Sequence, residues 1–471
     1  MDERTPYLGL PMPSDQNTLD EDLPRLRGCL ETLDAQAEQV DTALAEEKAI
    51  RISEVAALGV AIGDERETRI TAMGTAEASA REALAGAIAL ESHERIAGDA
   101  AEASARETAL ETHDSDVAAH NALVQRITVG SLSPIIGVCF VEAGGGSGLW
   151  FNVDADGQPI SPAKSYFDYH PVYSGLKRVL IDGQIMVEVP QFWTKKVTPA
   201  SGPFAGKPCR VLSPGQADGF KLFPAFMKNG QPLDRVYIGA YQGTNEGGSP
   251  VKAGSRPGKA PLVSLDFSTM KAYCANRNVN GVSGFMLWDV YQLAALQRLI
   301  LTEFATPDAQ AVIGRGHVDG TSAVATDYTN QPVWRGFAGL WGNVWQMVDG
   351  LDADTSRNIR LFKNDGSRIW VNTGFAVPAF DGTNVTYMVS LKDGKGDGYD
   401  FDDVFLPAST STSSGAGSFS DGYWGPYGSA GNVAYHGGHW GHGSYSGLFT
   451  LYLSSPASYS GASIGCRLAK S

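Results

Sequence analysis

Apolar residues follow two different rhythms along this chain of 471 residues. In the first part, Leu26, Leu30, Leu33, Ala37, Val40 and Leu44 are separated by 4, 3, 4, 3 and 4 positions, with Glu31, Asp34, Glu38 and Asp41 between them. That spacing predicts a helix carrying a narrow a/d seam. Ile96, Ala103, Leu110, Val117 and Val124 then recur every seven residues. Quasi-repeats ("EKAIRISE", "ERETRITA", "SAREALAG", "SHERIAGD", "SARETALE") lie between the two runs, broken by Gly59, Gly63, Gly74, Gly86 and Gly98, so the seam is expected to stutter. A lone helix of this kind cannot bury its stripe, and parallel self-association would supply partners; the seam residues permit two or three strands. His113 and His120 fall at seam positions, where they would form polar layers that fix register or imidazole rings around an ion or water.

From Ile135 onward the rhythm shortens to alternating runs divided by Gly, Pro, Asn and Asp. "KRVLIDGQIMVEVPQFWTKK" predicts two strands around Asp182-Gly183, a hairpin signal. "LDFSTMKAYCANRN" predicts a helix capped by Asp266 or Ser268. "FMLWDVYQLAALQRLILTEFAT" predicts a longer helix with Trp288, Tyr291, Ala295 and Leu299 on one face and Pro307 beyond its end. "SSGAGSFSDGYWGPYGSAG" reads as loop. In "LFTLYLSS", Phe449, Leu451 and Leu453 alternate with Thr450, Tyr452 and Ser454, the pattern of a strand with one face in the core and one outside.

Charge sharpens the division. Residues 1–130 hold 26 Asp and Glu against 11 Lys and Arg, which accounts for the whole net charge of −15, and the remainder balances at 26 of each. Of the 45 aromatic residues only Tyr7 precedes Phe140. Neither part offers the basic stripe that nucleic acid requires. No run of eighteen apolar residues occurs, so membrane insertion is not expected. The start "MDERTPYLGLPMPSDQ" lacks the basic and apolar regions of an export signal. Five scattered cysteines without C-x-x-C spacing suggest reduced thiols rather than a disulfide framework or zinc site.

Between Asp421 and Arg467 there is no Asp, Glu, Lys or Arg. Of the 29 residues from Tyr435 to Ser463, 20 are Gly, Ser, Tyr or His. Antibody paratopes use this mixture, because Tyr offers large amphipathic area at small entropic cost while Ser and Gly adapt around it. A charge-free patch also suits a protein–protein contact. The stretch therefore reads as a recognition face.

Three motifs carry a resemblance. "WRGFAGLWGNVWQMVDG" (Trp334 to Gly350) and the terminal "IGCRLA" (Ile464 to Ala469) are similar to the "GNVWEW" strand and closing "GFRLA" of the formylglycine-generating-enzyme-like branch of the C-type lectin fold. "YHGGHW" (Tyr435 to Trp440) resembles the Gly-Gly-x-Trp step of that branch. Within the branch the tail is most similar to the variable proteins of diversity-generating retroelements, of the phage major-tropism-determinant type. The resemblance implies an α+β fold class, with an N-terminal helical coiled-coil stalk followed by a C-type lectin fold head. It implies that His439, Gly441, His442, Tyr445, Tyr452, Ser454, Ser455, Tyr459, Gly461 and Ser463 form a diversified ligand-binding surface, and that Trp341, Val344 and Trp345 pack the scaffold while Gly342 and Gly465 permit close backbone approach. The opening "PSDQNTLDEDLPRLRGCLETLDAQ" resembles the N-terminal attachment segments of phage tail fibres. The organisation expected is an attachment segment (1–30), an acidic stalk (31–130), a β-rich connecting part (131–250) and a lectin-like domain (251–471) whose diversified region spans about 423–463. The implied partners are a host cell-surface receptor, phage tail or baseplate proteins, and two further copies in a homotrimer, and the implied location is the virion.

Other chemistry fits less well. His436, His439 and His442 have metal-like spacing but sit in a Gly-rich turn without nearby acidic or thiol ligands other than Asp421. "DGKGDGYDFDD" (Asp393 to Asp403) places Lys395 and Val404 where a calcium loop needs ligands, so it is expected to be a solvated acidic insert, with a structural cation open. No cofactor is expected. An oxidase of the formylglycine-generating type is the alternative function, but "SGLFTLYLSSPAS" holds no cysteine where those relatives need a pair, and Cys466 stands where they have Phe. A bacterial surface adhesin with the same head is a second alternative.

Overall fold

The Asp-Gly step makes the first hairpin. Asp182 and Gly183 both take positive φ, 48° and 70°, and join the antiparallel strands Lys177–Ile181 and Gln184–Pro190. The computed structural model describes residues 23–33, 35–36, 39–40, 42–54, 64–69, 71, 133–327, 329, 331–427 and 432–471. The chain divides into two compact units, Met1–Ser115 and Asp116–Ser471.

The described residues of the first unit are helical. Their seam side chains stand in solvent: Leu26, Leu30, Leu33, Val40 and Leu44 are between 43% and 65% exposed on the single chain. Ala37, the seam from Ile96 to Val124, and His113 and His120 lie outside the described residues. Among the described residues, no helix is long and apolar enough to cross a membrane.

The second unit is mixed α/β and mostly β. A five-stranded sheet runs through Leu149–Val153, Ile136–Glu142, Cys209–Ser213, Trp193–Val197 and Lys221–Leu222. A second orders Phe285–Leu287, Leu468–Lys470, Arg235–Gly239, Gln184–Pro190 and Lys177–Ile181. The largest is nine-stranded and curls around Trp345–Ala353, whose nine residues are all buried; Asn432–His436 pairs along one side and Asn358–Phe362 along the other. One core cluster spans Ile136 to Ala469, and Tyr237 and Ile238 pair with the last strand.

Both predicted helices form. Asp266, not Ser268, caps Phe267–Ala275 through Thr269 N–H at 2.8 Å. Val290–Phe304 begins with a capping box between Asp289 and Gln292. It is buried from Val290 to Thr302, so it runs through the core instead of lying amphipathically on it, and Trp288 precedes it outside the helix. Gly422–Trp424, expected as loop, is a strand that pairs with Leu451–Pro456 and Thr386–Leu391. Pairing on both sides outweighs its Gly-rich neighbourhood.

Two further expectations are corrected. Cys139 and Cys209 form a disulfide, since adjacent antiparallel strands place them directly opposite although 70 residues separate them. The acidic insert is solvated over residues 393–397, as expected, but its Phe401–Asp403 end is packed against the head. Asp403 is 1% exposed and is held by Lys221 Nζ at 2.8 Å, Asp402 by Arg210 at 2.8 Å and Asp393 by Lys196 at 2.5 Å, so the chain supplies the counter-charge itself.

Candidate recognition surface

The "GNVW" segment and the terminal Arg build a rigid base. Gly342 takes φ of 74°, and a Cβ there would meet His317 O at 3.0 Å; one at Gly465 would meet Leu262 O at 2.8 Å. Arg467 is fully buried and donates to Gln346 Oε1 (2.7 Å), Gly239 O (2.7 Å), Ala338 O (2.9 Å) and Gly339 O (2.5 Å). Burial pushes its guanidinium down to about 9. Trp288 stacks below it, with the guanidinium 5.6 Å from the ring centroid, and donates its indole N–H to Met347 O at 2.8 Å.

Trp345 gathers the tail around this base. Its own N–H donates to Ser463 O at 2.8 Å, while its ring lies 5.2 Å from His442, 6.5 Å from His439, 5.4 Å from Tyr452 and 5.6 Å from Trp424. His442 stacks on Trp424 with centroids 5.2 Å apart, and the His439 and His442 rings are 3.8 Å apart. Tyr445 stands edge-on to Trp424 at 6.1 Å. Trp345 and Trp424 are 4% and 7% exposed, Tyr445 and Tyr459 are 38% and 50%. The arrangement is an aromatic floor with a polar rim of Tyr, Ser and Gly. Burial, with His439 adding to it, pushes the His442 imidazole down to about 4, and burial also lowers His439. The surface therefore stays uncharged near neutral pH.

The candidate residues do not share one environment. His439, His442, Tyr452, Ser454, Gly461 and Ser463 are half-buried, Gly441, Tyr445 and Tyr459 are exposed, and Ser455 is buried. Strand parity explains Ser455: Leu451, Leu453 and Ser455 alternate inward, Tyr452 and Ser454 outward. Thr450, expected to face out, is 1% exposed and donates its hydroxyl to Tyr445 O at 2.7 Å, because it precedes the strand and closes the turn instead. The three histidines of the H-x-x-H-x-x-H run do not converge. His436 lies in the core, with Nε2 2.9 Å from Leu340 O, and among the described residues no three His, Cys, Asp or Glu form a metal-sized group.

Sequence reasoning missed Trp424 as part of the floor and Tyr387 as a neighbour of Tyr445, at 6.2 Å. The "GYW" step inside the Gly-rich stretch was the available signal. The carboxylates Asp289 and Asp349 face Arg368 at 3.3 and 2.5 Å, and Lys271 reaches Asp349 at 2.9 Å; Asp289 also caps its helix, a structural arrangement. No protein-family model matches the chain, and no curated protein matches it in sequence.

Proposed function

We propose that the protein is a phage tail-fibre receptor-binding protein, whose C-terminal head of C-type lectin type presents a retroelement-diversified surface to the host cell. The observation that carries this reading is the separation along the tail. Leu451, Leu453, Ile464, Cys466 and Arg467 are buried in the framework, while Tyr445, Tyr459 and Gly441 are open and free of charge. Side chains of the second kind can change without loss of core contacts. The exposed a/d seam of the first unit supports a coiled-coil stalk, in which further copies would cover Leu26, Leu30, Leu33, Val40 and Leu44. A homotrimeric fibre attached to tail or baseplate proteins through the N-terminal segment would turn weak single contacts into firm attachment.

The test is adsorption. Full-length protein should label host cells and compete with phage, and Tyr445→Ala with Tyr459→Ala should abolish labelling while leaving the trimer mass unchanged. Retained labelling in the double variant would remove the recognition face from the tail. In the genome, a reverse-transcriptase gene and a near-copy of the final coding segment, differing only at adenines, are the expected companions.

A further inference from the structure

Beside the aromatic floor lies a cleft of about 450 Å³, within the range of small-molecule sites. Most of its lining side chains are polar. Asp421 is 1% exposed; its Oδ2 accepts from Phe449 N–H at 2.7 Å and its Oδ1 from the Ser420 hydroxyl at 3.2 Å. No ion pair to it occurs among the described residues, and burial raises its carboxyl well above the usual range. Asp308 stands across from it, its Oδ1 accepting from Ala311 N–H at 3.0 Å. Ser414 and Ser444 add hydroxyls at the mouth, and Tyr387 supplies the single aromatic wall. Arg315, the one cation of the lining, is already bound by Asp319 at 2.7 Å.

We infer that this cleft takes an uncharged saccharide. An anionic ligand would face the Asp308 carboxylate, with Arg315 already held by Asp319. An apolar ligand would strip water from hydroxyls and carboxyls without replacing its hydrogen bonds. A polyhydroxylated ring satisfies the same donors and acceptors and sits against the small exposed part of Tyr387. The inference goes beyond a variable tail: Asp308, Tyr387, Ser414 and Asp421 all precede residue 423, and only Ser444 belongs to the tail. The head would thus combine a constant sugar pocket with a changeable rim. Gln310 couples the two, donating its amide to Gly443 O at 3.0 Å in the tail turn.

Saturation-transfer NMR on the full chain tests this, with free glucose, galactose, mannose and N-acetylglucosamine as probes and N-acetylneuraminic acid and glucose 6-phosphate as charged controls. Transfer to at least one neutral sugar is expected. Ala311→Trp fills the cleft, and Ser414→Trp, at an exposed turn position, blocks its mouth without touching the core; each should weaken binding by at least about tenfold. Tyr459→Ala should leave sugar binding unchanged even where it abolishes cell labelling, which separates this site from the recognition face. Silence from all four neutral sugars, preference for a charged one, or transfer that survives Ser414→Trp would overturn the assignment.

Discussion

Tyr452 stacks on Tyr435, with ring centroids 5.6 Å apart and planes 6° from parallel. One ring is buried and the other half-buried, so the display side of the strand leans on the framework. Ser455 extends the link, donating to the Tyr452 hydroxyl at 3.3 Å.

The first prediction follows from that stack. Tyr452→Ala should cost about 1–3 kcal/mol of stability, because it removes contacts with Tyr435, Trp345 and Trp424 together. Tyr459→Ala, at 50% exposure, should stay within about 0.5 kcal/mol. Trp345→Ala should cost about 3–5 kcal/mol. Urea unfolding of the three variants checks the ranking; equal losses at Tyr459 and Trp345 would dissolve the distinction between scaffold and display.

Arg467 offers a second test. It satisfies four acceptors from Gln346, Gly239, Ala338 and Gly339 in the absence of a carboxylate partner. Arg467→Met should destabilise the head by about 3–5 kcal/mol, by stranding those oxygens. Arg467→Lys should recover only a minor part, since an ammonium cannot reproduce the planar fork. Thermal unfolding of both variants, with full rescue by Lys counting against the argument, is the measurement.

Acid should act through His436. Burial pushes its imidazole down to about 3, with the Arg467 charge opposing protonation as well. Below its ordinary value of 6.5 the unfolded chain takes a proton that the folded chain refuses, so stability falls as pH falls from 6.5 towards 3. From pH 7 to 5 this group alone removes about 2 kcal/mol. Asp403, raised by burial to about 6, works in the opposite sense between 6 and 3.8. The clean readout is therefore the difference between pH 7 and pH 5 unfolding free energies in the parent and in His436→Gln, where the acid-induced loss should shrink by about 2 kcal/mol. An unchanged difference would place the acid sensitivity elsewhere.

Thiol titration checks the disulfide. Of the five cysteines, two are paired, so denatured chain without reductant should show 5 − 2 = 3 thiols, and 5 after reduction. Cys139→Ser should lower stability by about 2–4 kcal/mol. Five thiols before reduction would return the pair to the reduced state expected from the sequence.

Local rules made much of this head legible in advance. Asp182-Gly183 announced its hairpin because few dipeptides accept positive φ twice, and Asp266 announced its helix because a carboxylate satisfies free N–H groups where a helix starts. The parity of Leu451, Tyr452 and Leu453 held because a strand turns each successive side chain to the opposite face. What depended on residues distant in the chain was not legible. The Cys139–Cys209 pair, the ion pairs of Asp402 and Asp403 with Arg210 and Lys221, and the strand at Gly422–Trp424 each require a partner chosen by sheet order. The sequence by itself determined that the carboxyl end carries no charge and which strand side chains alternate; only the tertiary structure decided that Thr450 and Ser455 turn inward and that Trp345 and Trp424 form the floor beneath the rest. Pattern is set by the backbone's own periodicity, whereas contact between remote segments is set by packing, which no local spacing encodes.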